Sequence, residues 1–389
     1  MSKNILYLVH TVPYPANDGG DQGHQSHINL LRETKYIEDI KFFFVEMGDR
    51  KVELPINFEI FKRAKDSKIV KYIKKALYLL FSKYPYGYHS VCSKDIIQKI
   101  KEYNPGVIVQ DGLPSSAIID KVIKQRKLIY ISNNIEYQYW YDVAKLETNR
   151  FLKPWLYLFA YRTKQIEKSI LKKADKIVCV STSDYKIISK EYPDKTILCP
   201  HKIEMQEDQW NCPKEKTLFF CGPLDFQPNY DAVEWLVTEL APVLPKDIKI
   251  KIAGKNSDSV PDDWKKDNVE FLGFVSKEDL YDLYKNSSAF ICPIIYGSGV
   301  KIKVTEALSY SAPVIATKEA LEGLDYLDIK PIIDRDNLEI TKCNIESLLD
   351  NENNLLEYSK EIRDKLNVYQ NGKNIGWNDI IGDIIKEEE

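Results

Sequence analysis

Short runs of β-branched and aromatic residues alternate with longer helical patterns along nearly the whole chain. The short runs are almost continuously apolar, as are strands that are buried on both faces of a parallel sheet. The strand candidates are Ile5–Val9, Lys41–Val45, Val107–Gln110, Lys127–Ile131, Lys176–Val180, Leu218–Cys221, Ile248–Ala253, Val269–Leu272, Ala289–Pro293 and Pro313–Ala316. Strands that alternate with helices in this way predict two doubly wound α/β domains.

The length of 389 residues exceeds what one ordinary hydrophobic core organises and fits two domains. A polar stretch at residues 204–209 separates the strand units of the two halves. We therefore expect an N-terminal domain over residues 1–205 and a C-terminal domain over residues 206–370. The last segment, residues 371–389, is expected to form a helix that packs back toward the N-terminal domain.

The formal net charge of −3 conceals a division between the two halves. Residues 1–200 contain 33 Lys and Arg against 22 Asp and Glu, a net of +11, and the remaining residues contain 22 against 36, a net of −14. A basic half is compatible with an anionic membrane surface or with nucleic acid. The difference indicates that the two domains bind different partners.

Cysteine use and hydropathy indicate the compartment. The seven cysteines show no C-x-x-C spacing and mostly lie in apolar runs, which is typical of buried thiols in a reducing environment. The first apolar run is too short for a signal peptide, and no segment has the ~18 uninterrupted apolar residues that span a bilayer. We expect a cytoplasmic protein whose basic half allows peripheral contact with the inner face of the plasma membrane.

The glycine-bearing turn after the ninth strand candidate has the clearest chemistry. Gly297 and Gly299 let the backbone approach an anion, and the next helix begins with unpaired N–H groups. Lys301 and Lys303 add positive charge, and Glu306 is placed to accept hydrogen bonds from sugar hydroxyls. Taken alone, the segment is more typical of a flexible turn followed by a solvated helix face.

Other strand candidates of this half also end in glycine, at Gly222, Gly254 and Gly273. Ligands of parallel sheets bind at the carboxyl ends of the strands. This repeated placement favours a binding site over a set of unrelated turns.

Together these motifs resemble the nucleotide-sugar-binding domain of the retaining glycosyltransferases of family four (glycosyl transferases group 1), which have the GT-B fold. The resemblance covers residues 216–325 in the right order, and the first half is similar more loosely. The matching segments are Gly222–Asn229, Gly254, Gly273–Val275, Pro293, Gly297–Ala307, Pro313–Thr317 and Glu322–Leu324, with Pro13–Pro15, Gly19-Gly20, Asn134–Glu136 and Ala174-Asp175 in the first half.

The resemblance implies two Rossmann-like domains that face a cleft. The C-terminal domain would bind a nucleoside-diphosphate sugar, of UDP or GDP, and the N-terminal domain would bind the acceptor. The ribose would contact Glu306, the diphosphate would contact the 297–299 turn and its lysines, and the base would lie beside residues 274–275. The Gly19-Gly20 turn would approach the transferred sugar or the acceptor.

The resemblance implies no metal and no cofactor, since the nucleoside-diphosphate sugar is a co-substrate. The site residues that it implies fall into three groups. They are catalytic Gly19, Gly20, Lys303 and Glu306; donor-binding Gly222, Asn229, Gly254, Phe274, Val275, Gly297, Ser298, Gly299, Val300, Lys301, Lys303 and Glu306; and acceptor-side Asp18, His24, Asn133, Asn134 and Glu136.

Four residues depart from the family pattern. Ser298 replaces the first of two common glutamates, and Pro223 and Pro228 stand where basic residues are common. Asn133 stands where a histidine is often found. The two lysines after the glycine turn are then the source of the positive charge.

Patterns for other chemistries are explained more simply. Asp334-Arg335-Asp336 resembles a metal-binding triplet but is interpreted as a surface turn, and His24 and His27, without a third ligand, as a helix-face or acceptor-side pair. No Gly-x-Ser-x-Gly elbow is present, and no carboxylate pair can be nominated for glycoside hydrolysis.

Two basic and aromatic stretches lie in the first half. Residues 62–101 contain eleven Lys and Arg against two Asp and Glu, and residues 150–168 combine Phe, Trp and Tyr with further basic residues. Such stretches suit an anionic membrane interface, and they equally suit helices that bury one apolar face.

The leading hypothesis is a glycosyltransferase that adds a sugar to a lipid-linked acceptor in cell-surface polysaccharide, lipopolysaccharide or capsule synthesis. A sugar-nucleotide epimerase or a phosphorylase of the same fold is an alternative. A catalytically inactive scaffold that binds a membrane or nucleic acid is another, although no nucleic-acid partner is expected.

Overall fold

The protein is described from a computed structural model. The chain divides into two units, Met1–His201 together with Ile375–Glu389, and Lys202–Asn374. These divisions lie close to the predicted boundaries after residues 205 and 370. The structure describes residues 4–14, 19–35, 40–46, 57–62, 66–124, 126–200, 203–297, 299–371 and 376–386.

The first unit contains a seven-stranded sheet in the order β3-β2-β1-β4-β5-β6-β7, and every pairing is parallel. Its strands are β1 Ile5–Val9, β2 Ile40–Glu46, β3 Phe58–Lys62, β4 Val107–Asp111, β5 Lys127–Ser132, β6 Lys176–Cys179 and β7 Thr196–Leu198. Along β1, Leu6 and Leu8 pack into one buried cluster, and Ile5 and Tyr7 pack into another. Both faces of the sheet are therefore covered, which explains the continuous apolar runs.

Two strands of this sheet are absent from the sequence-based prediction. Strand β3 is half-exposed over most of its length and mixes Glu59 and Lys62 with apolar residues, and β7 has only three residues. Both lie at edges of the sheet, where a strand is not buried on both faces and lacks a continuous apolar run.

The second unit contains a five-stranded sheet in the order β10-β9-β8-β11-β12, again parallel throughout. Its strands are β8 Thr217–Cys221, β9 Lys249–Ala253, β10 Val269–Gly273, β11 Ala289–Cys292 and β12 Val314–Ala316. All five were predicted. The predicted fold class of two α/β domains built on parallel sheets is confirmed.

Helices connect the strands in both units. They are α1 Gly19–Arg32, α2 Lys68–Phe81, α3 Tyr86–His89, α4 Lys94–Tyr103, α5 Ser116–Val122, α6 Glu136–Leu146, α7 Lys153–Lys173, α8 Thr182–Glu191, α9 Gln227–Trp235, α10 Ala241–Val243, α11 Lys277–Asn286, α12 Ile302–Ser309, α13 Leu338–Leu349, α14 Glu352–Asn371 and α15 Trp377–Lys386. Ser93, Ser181 and Ser276 cap α4, α8 and α11 by accepting a backbone N–H bond. Among the helices described, none is long and apolar enough to cross a membrane.

Helix α15 belongs to the first unit although it ends the chain. Trp377, Ile380, Ile381 and Ile384 are buried in the same cluster as Ile28 of α1. Their spacing places them on one helix face. Burial of each isoleucine contributes about 1.5–3 kcal/mol, so α15 completes the core on this face of the first sheet.

Candidate functional site

Two glycines allow close backbone approach at the carboxyl ends of β8 and β9. A Cβ atom at Gly222 would lie 2.5 Å from Lys303 Nζ and 2.6 Å from Asn229 Nδ2. A Cβ atom at Gly254 would collide with the carbonyl group of Gly222. Both positions therefore exclude a side chain, and bare backbone borders the amino group of Lys303.

The ammonium of Lys303, in the first turn of α12, is held from two sides. Its Nζ donates a hydrogen bond to Asn229 Oδ1 at 2.6 Å and lies 4.6 Å from the centroid of the Phe220 ring. Asn229 is fixed in turn, because its Nδ2 donates to the carbonyl oxygen of Pro223 at 2.9 Å. Burial lowers the pKa of Lys303. A bound anionic ligand would favour the charged form of Lys303, because the negative charge of the ligand compensates for the water that the buried ammonium has lost.

Glu306, one turn further along α12, is oriented by a tyrosine from α11. The Tyr284 hydroxyl donates to Glu306 Oε2 at 3.0 Å and also lies 3.2 Å from the carbonyl oxygen of Lys303. Tyr284 is buried, and its ring stacks on Tyr310. The carboxylate is therefore held in place by a rigid neighbour. No sequence motif identified Tyr284, which looks like an ordinary aromatic residue of an amphipathic helix.

The glycine turn before α12 is organised by Lys301. Its Nζ donates to the carbonyl oxygens of Gly297 at 2.6 Å and Gly299 at 2.7 Å, and it lies 3.5 Å from Glu322 Oε2. Both glycines have positive φ, 101° and 83°, which favours glycine at these positions. The resemblance predicted that Lys301 contacts the diphosphate, whereas in the structure its ammonium lies among oxygens of the protein.

Arg335 also lies near the carboxyl ends of the strands of the second sheet, beside the end of β11. Its Nη1 donates to the carbonyl oxygen of Pro293 at 3.3 Å, and its guanidinium lies 5.2 Å from the centroid of the Trp235 ring. The neighbouring residues Asp334 and Asp336 are exposed, as expected for a surface turn. The sequence motif drew attention to the two carboxylates, whereas in the structure the arginine between them makes the contacts with Pro293 and Trp235.

The remaining donor-side candidates differ in exposure. Phe274 is 84% exposed directly after β10, whereas Val275 and Val300 pack against the core of the second unit. Ser298 lies outside the described residues. The position of residues 274–275 beside a nucleobase stays a prediction.

In the first unit, a buried carboxylate lies at the carboxyl end of β4. Asp111 accepts hydrogen bonds from the Tyr7 hydroxyl, from His24 Nδ1 at 2.7 Å and from Asn133 Nδ2 at 2.6 Å. Burial opposes its ionisation, but the electrostatic interaction with the imidazoles of His24 and His27 and the hydrogen bonds from His24 and Tyr7 hold the pKa of Asp111 well below its usual range. Asp111 is thus a buried anion that fixes three side chains around it.

His27 extends this group. Its Nε2 lies 3.2 Å from Asn133 Oδ1, and its ring meets that of Trp377 at 6.2 Å between centroids. Burial lowers the pKa of His27. The group lies at the end of β1 and β4, where the strand order reverses and open α/β sheets bind ligands. We call it the Asp111 cluster, consisting of Tyr7, His24, His27, Asp111 and Asn133.

Gly19 and Gly20 are the first residues of α1, the helix that carries both histidines of the Asp111 cluster. Asp18 lies outside the described residues. The structure therefore brings His24 and Asn133 together through Asp111, which sequence analysis did not single out. The only sequence signal was its position at the end of an apolar strand.

The other acceptor-side candidates lie at the start of α6. Asn134 accepts a hydrogen bond from the Ser132 hydroxyl at its carbonyl oxygen, and Glu136 is the first residue of the helix. The backbone N–H groups of Glu136 and Tyr137 donate to the Glu167 carboxylate at 3.0 and 3.4 Å. Burial raises the pKa of Glu136 to about 7 and that of Glu167 to about 8. Glu167, on the following helix α7, therefore caps the N-terminus of α6, without a local sequence signal.

In the described part of the chain, no group of three or more His, Cys, Asp or Glu side chains is arranged as a set of metal ligands.

Comparison with known proteins relates this geometry to a family and a fold. Residues 215–351 match the model of the family Glycosyl transferases group 1. A curated relative, the uncharacterized 44.6 kDa protein in the cps region of Klebsiella pneumoniae, is 24% identical over 336 residues, which span 82% of this chain and 84% of the relative.

Two solved structures resemble the chain over nearly its whole length. Sucrose-phosphate synthase from Thermosynechococcus elongatus has a TM-score of 0.66 at 14% identity, covering 99% of this chain and 97% of its own. WaaG, a glycosyltransferase involved in lipopolysaccharide biosynthesis, has a TM-score of 0.63 at 14% identity, covering 98% and 99%. The fold is GT-B. The fold implied by the sequence resemblance is thereby confirmed.

The second-unit residues described above all lie within the range that matches the glycosyl transferase model. Lys303, Asn229 and Gly222 meet at the carboxyl end of β8 in the second sheet of this GT-B protein, and Glu306 follows Lys303 by one turn of α12. The Asp111 cluster is a separate group within the first unit. We treat these two groups as the candidate sites.

Proposed function

We propose that the protein transfers a glycosyl group from a nucleoside-diphosphate sugar to a saccharide acceptor. The observation that carries this proposal is the ammonium of Lys303, held by Asn229 and Phe220 beside the bare backbone of Gly222. A fixed cation next to open backbone suits a diphosphate. The match of residues 215–351 to the glycosyl transferase model supports the same conclusion.

In this proposal, Lys303 stabilises the negative charge that develops on the nucleoside diphosphate, either UDP or GDP, as its bond to the sugar breaks. The N-terminus of α12 adds partial positive charge at the same place. Glu306, held by Tyr284, accepts hydrogen bonds from the ribose hydroxyls. Leaving-group stabilisation is thus assigned to protein groups, without a metal.

We further propose a lipid-linked saccharide as the acceptor, bound by the first unit at the cytoplasmic face of the plasma membrane. His24 and Asn133 of the Asp111 cluster, together with Gly19 and Gly20 at the start of α1, form the acceptor side. The Klebsiella relative from a cps region and the similarity to WaaG support a role in capsule, lipopolysaccharide or other surface polysaccharide synthesis. Retention of the anomeric configuration is expected from the family resemblance.

Calorimetric titration with UDP, GDP and their sugars tests the donor site. We expect one class of nucleotide to bind the native protein, and Lys303→Met to weaken binding about tenfold or more, because a charged hydrogen bond is lost. Lys265→Met is the matched control, since Lys265 is an exposed lysine of the same unit that pairs with Asp262. Absence of binding to every nucleotide would overturn the proposal.

A further inference from the structure

Helix α2 exposes large apolar side chains along most of its length. Ile69, Ile73, Leu77 and Leu80 are 74%, 55%, 49% and 45% exposed, and Leu79 is the one residue of the helix whose side chain is buried. Tyr72 and Phe81 beside this row are 71% and 82% exposed. A helix on the surface of a globular protein normally shows the opposite arrangement.

The exposed residues form one continuous row. Their spacing of four, four and three residues places them on one face of the helix. The opposite side faces the first unit, because the Tyr78 ring packs against Tyr86 at 5.9 Å and against His89 at 4.6 Å between centroids. We call the outward row, Ile69, Ile73, Leu77 and Leu80, the α2 stripe.

The charges of α2 are all positive. The helix contains Lys68, Lys71, Lys74 and Lys75 and neither Asp nor Glu. Lys74 pairs with Asp66 at 2.7 Å, and Lys75 lies 5.7 Å from the centroid of the Tyr72 ring. Residues 62–101 around the helix carry eleven Lys and Arg against two Asp and Glu, so the apolar row lies in a basic segment.

We propose that the α2 stripe docks on a bilayer that contains anionic lipid, with its apolar side chains at the boundary between head groups and acyl chains. The lysines then meet lipid phosphates, and the aromatic ring of Tyr72 suits the interfacial depth. A second copy of the chain is a poor occupant, because two helices with four lysines each and no acid would repel each other.

The turn between α6 and α7 also exposes apolar residues, including Phe151 and Leu152. There, however, Lys153 Nζ donates to the carbonyl oxygens of Lys145 and Glu147. Its charge is thus engaged with the protein, and an acidic residue lies in the turn. Helix α2 exposes more apolar residues and carries four lysines and no acidic residue, with only Lys74 paired, to Asp66, among the ion pairs described for it. We therefore assign the contact to α2.

Vesicle co-sedimentation of the full chain tests the proposal, without nucleotide sugar or acceptor. We expect binding to phosphatidylcholine vesicles only when they contain phosphatidylglycerol, with affinity that falls as salt rises. Ile73→Gln should weaken binding about tenfold, and Lys68→Gln or Lys71→Gln about fivefold each. The control is Ile340→Gln, since Ile340 is a helical isoleucine of the second unit with 51% exposure, close to that of Ile73.

Equal binding to neutral and anionic vesicles, or an equal effect of Ile340→Gln and Ile73→Gln, would overturn the proposal. So would self-association of the native chain that Ile73→Gln abolishes, measured by light scattering, because the stripe would then be a contact between copies. Since the assay contains no substrate, its failure leaves the proposed glycosyl transfer untouched. Likewise, a protein that binds vesicles but no nucleotide would retain the α2 contact and lose the proposed function.

Discussion

Lys303 and Lys301 lie two residues apart, but their different neighbours give each ammonium a different task. Lys303 borders the bare backbone of Gly222, and its ammonium donates a hydrogen bond to Asn229 Oδ1. Lys301 Nζ donates to two carbonyl oxygens of the glycine turn and lies near Glu322. In the proposed function the Lys303 ammonium contacts the donor diphosphate, whereas the Lys301 ammonium holds the glycine turn through its two hydrogen bonds.

Replacing each lysine by methionine should separate these tasks. Lys303→Met should weaken donor binding about tenfold or more while leaving the free energy of unfolding unchanged or higher, because a partly desolvated charge is removed. Lys301→Met should lower the free energy of unfolding by about 1–3 kcal/mol, since it leaves two half-buried carbonyl groups without their donor. Calorimetry measures donor binding and urea unfolding measures stability in both variants. If the two variants lost donor binding equally and lost stability equally, the separation of tasks would be contradicted.

Tyr284 is a positioning residue for Glu306. Tyr284→Phe keeps the ring and removes the hydroxyl donor to Glu306. We expect the KM for the donor to rise about fivefold with little change in kcat. The reason is that the lost hydrogen bond, worth about 1 kcal/mol, orients Glu306 for binding the donor and takes no part in the chemical step. Tyr281→Phe on the same helix is the control. A fall in kcat at unchanged KM would contradict this role.

At the scale of elements, the carboxyl ends of the parallel strands decide how much of the site the sequence predicts. The sequence places Gly222 and Gly254 at strand ends because each directly follows a strand candidate, and all five strands of the second sheet were predicted. Asp111, Tyr284 and Glu167 were not found, because each meets its partners only through tertiary packing across distant elements. The edge strands β3 and β7 of the first sheet were missed for a local reason, because β3 mixes charged with apolar residues and β7 has only three residues.

The start of α6 should make the stability of the first unit depend on pH. Burial raises the pKa of Glu136 to about 7 and that of Glu167 to about 8, and the charge of Glu136 adds to the latter shift. Both values exceed the pKa of a glutamate in an unfolded chain, which is about 4.3. As pH rises, the unfolded chain therefore loses these protons before the folded protein does. The contribution of the two protonated glutamates to the free energy of unfolding is full below pH about 4 and is lost as pH rises through about 8.

Glu136→Gln should make the free energy of unfolding fall less between pH about 5 and 8 than in the native protein. The substitution removes the titration of Glu136, and it also removes the negative charge that raises the pKa of Glu167. Urea unfolding over this range measures the effect. Glu102→Gln, at an exposed position of α4, serves as the control and should keep the native slope. An unchanged slope in Glu136→Gln would contradict the account.

At the scale of the whole molecule, the near-neutral total charge hides two different electrostatic tasks. The first 200 residues carry +11 and include α2 with its four lysines, whereas the rest carry −14 and include the proposed site for an anionic donor. That site therefore depends on local groups, the Lys303 ammonium and the start of α12, and not on the field of its own unit. Net charge by itself would place a phosphate ligand in the first half, whereas the proposed donor site lies in the second.

The return of the chain to the first unit through α15 also has a measurable consequence. Ile381 is fully buried beside α1, so Ile381→Ala should lower the free energy of unfolding of the first unit by about 2–5 kcal/mol. Ile340→Ala, at an exposed position of the second unit, should change stability by no more than about 0.5 kcal/mol. Urea unfolding of both variants checks this, and a similar small change in both would contradict the packing of α15.

The central claim is tested most directly by incubating the purified protein with a panel of nucleotide sugars and a membrane lipid extract, followed by mass spectrometry. We predict release of one nucleoside diphosphate and a lipid-linked saccharide heavier by one glycosyl residue, both lost in Lys303→Met and kept in Lys265→Met. No glycosylated product from any donor, or turnover of the donor without an acceptor, would contradict the account.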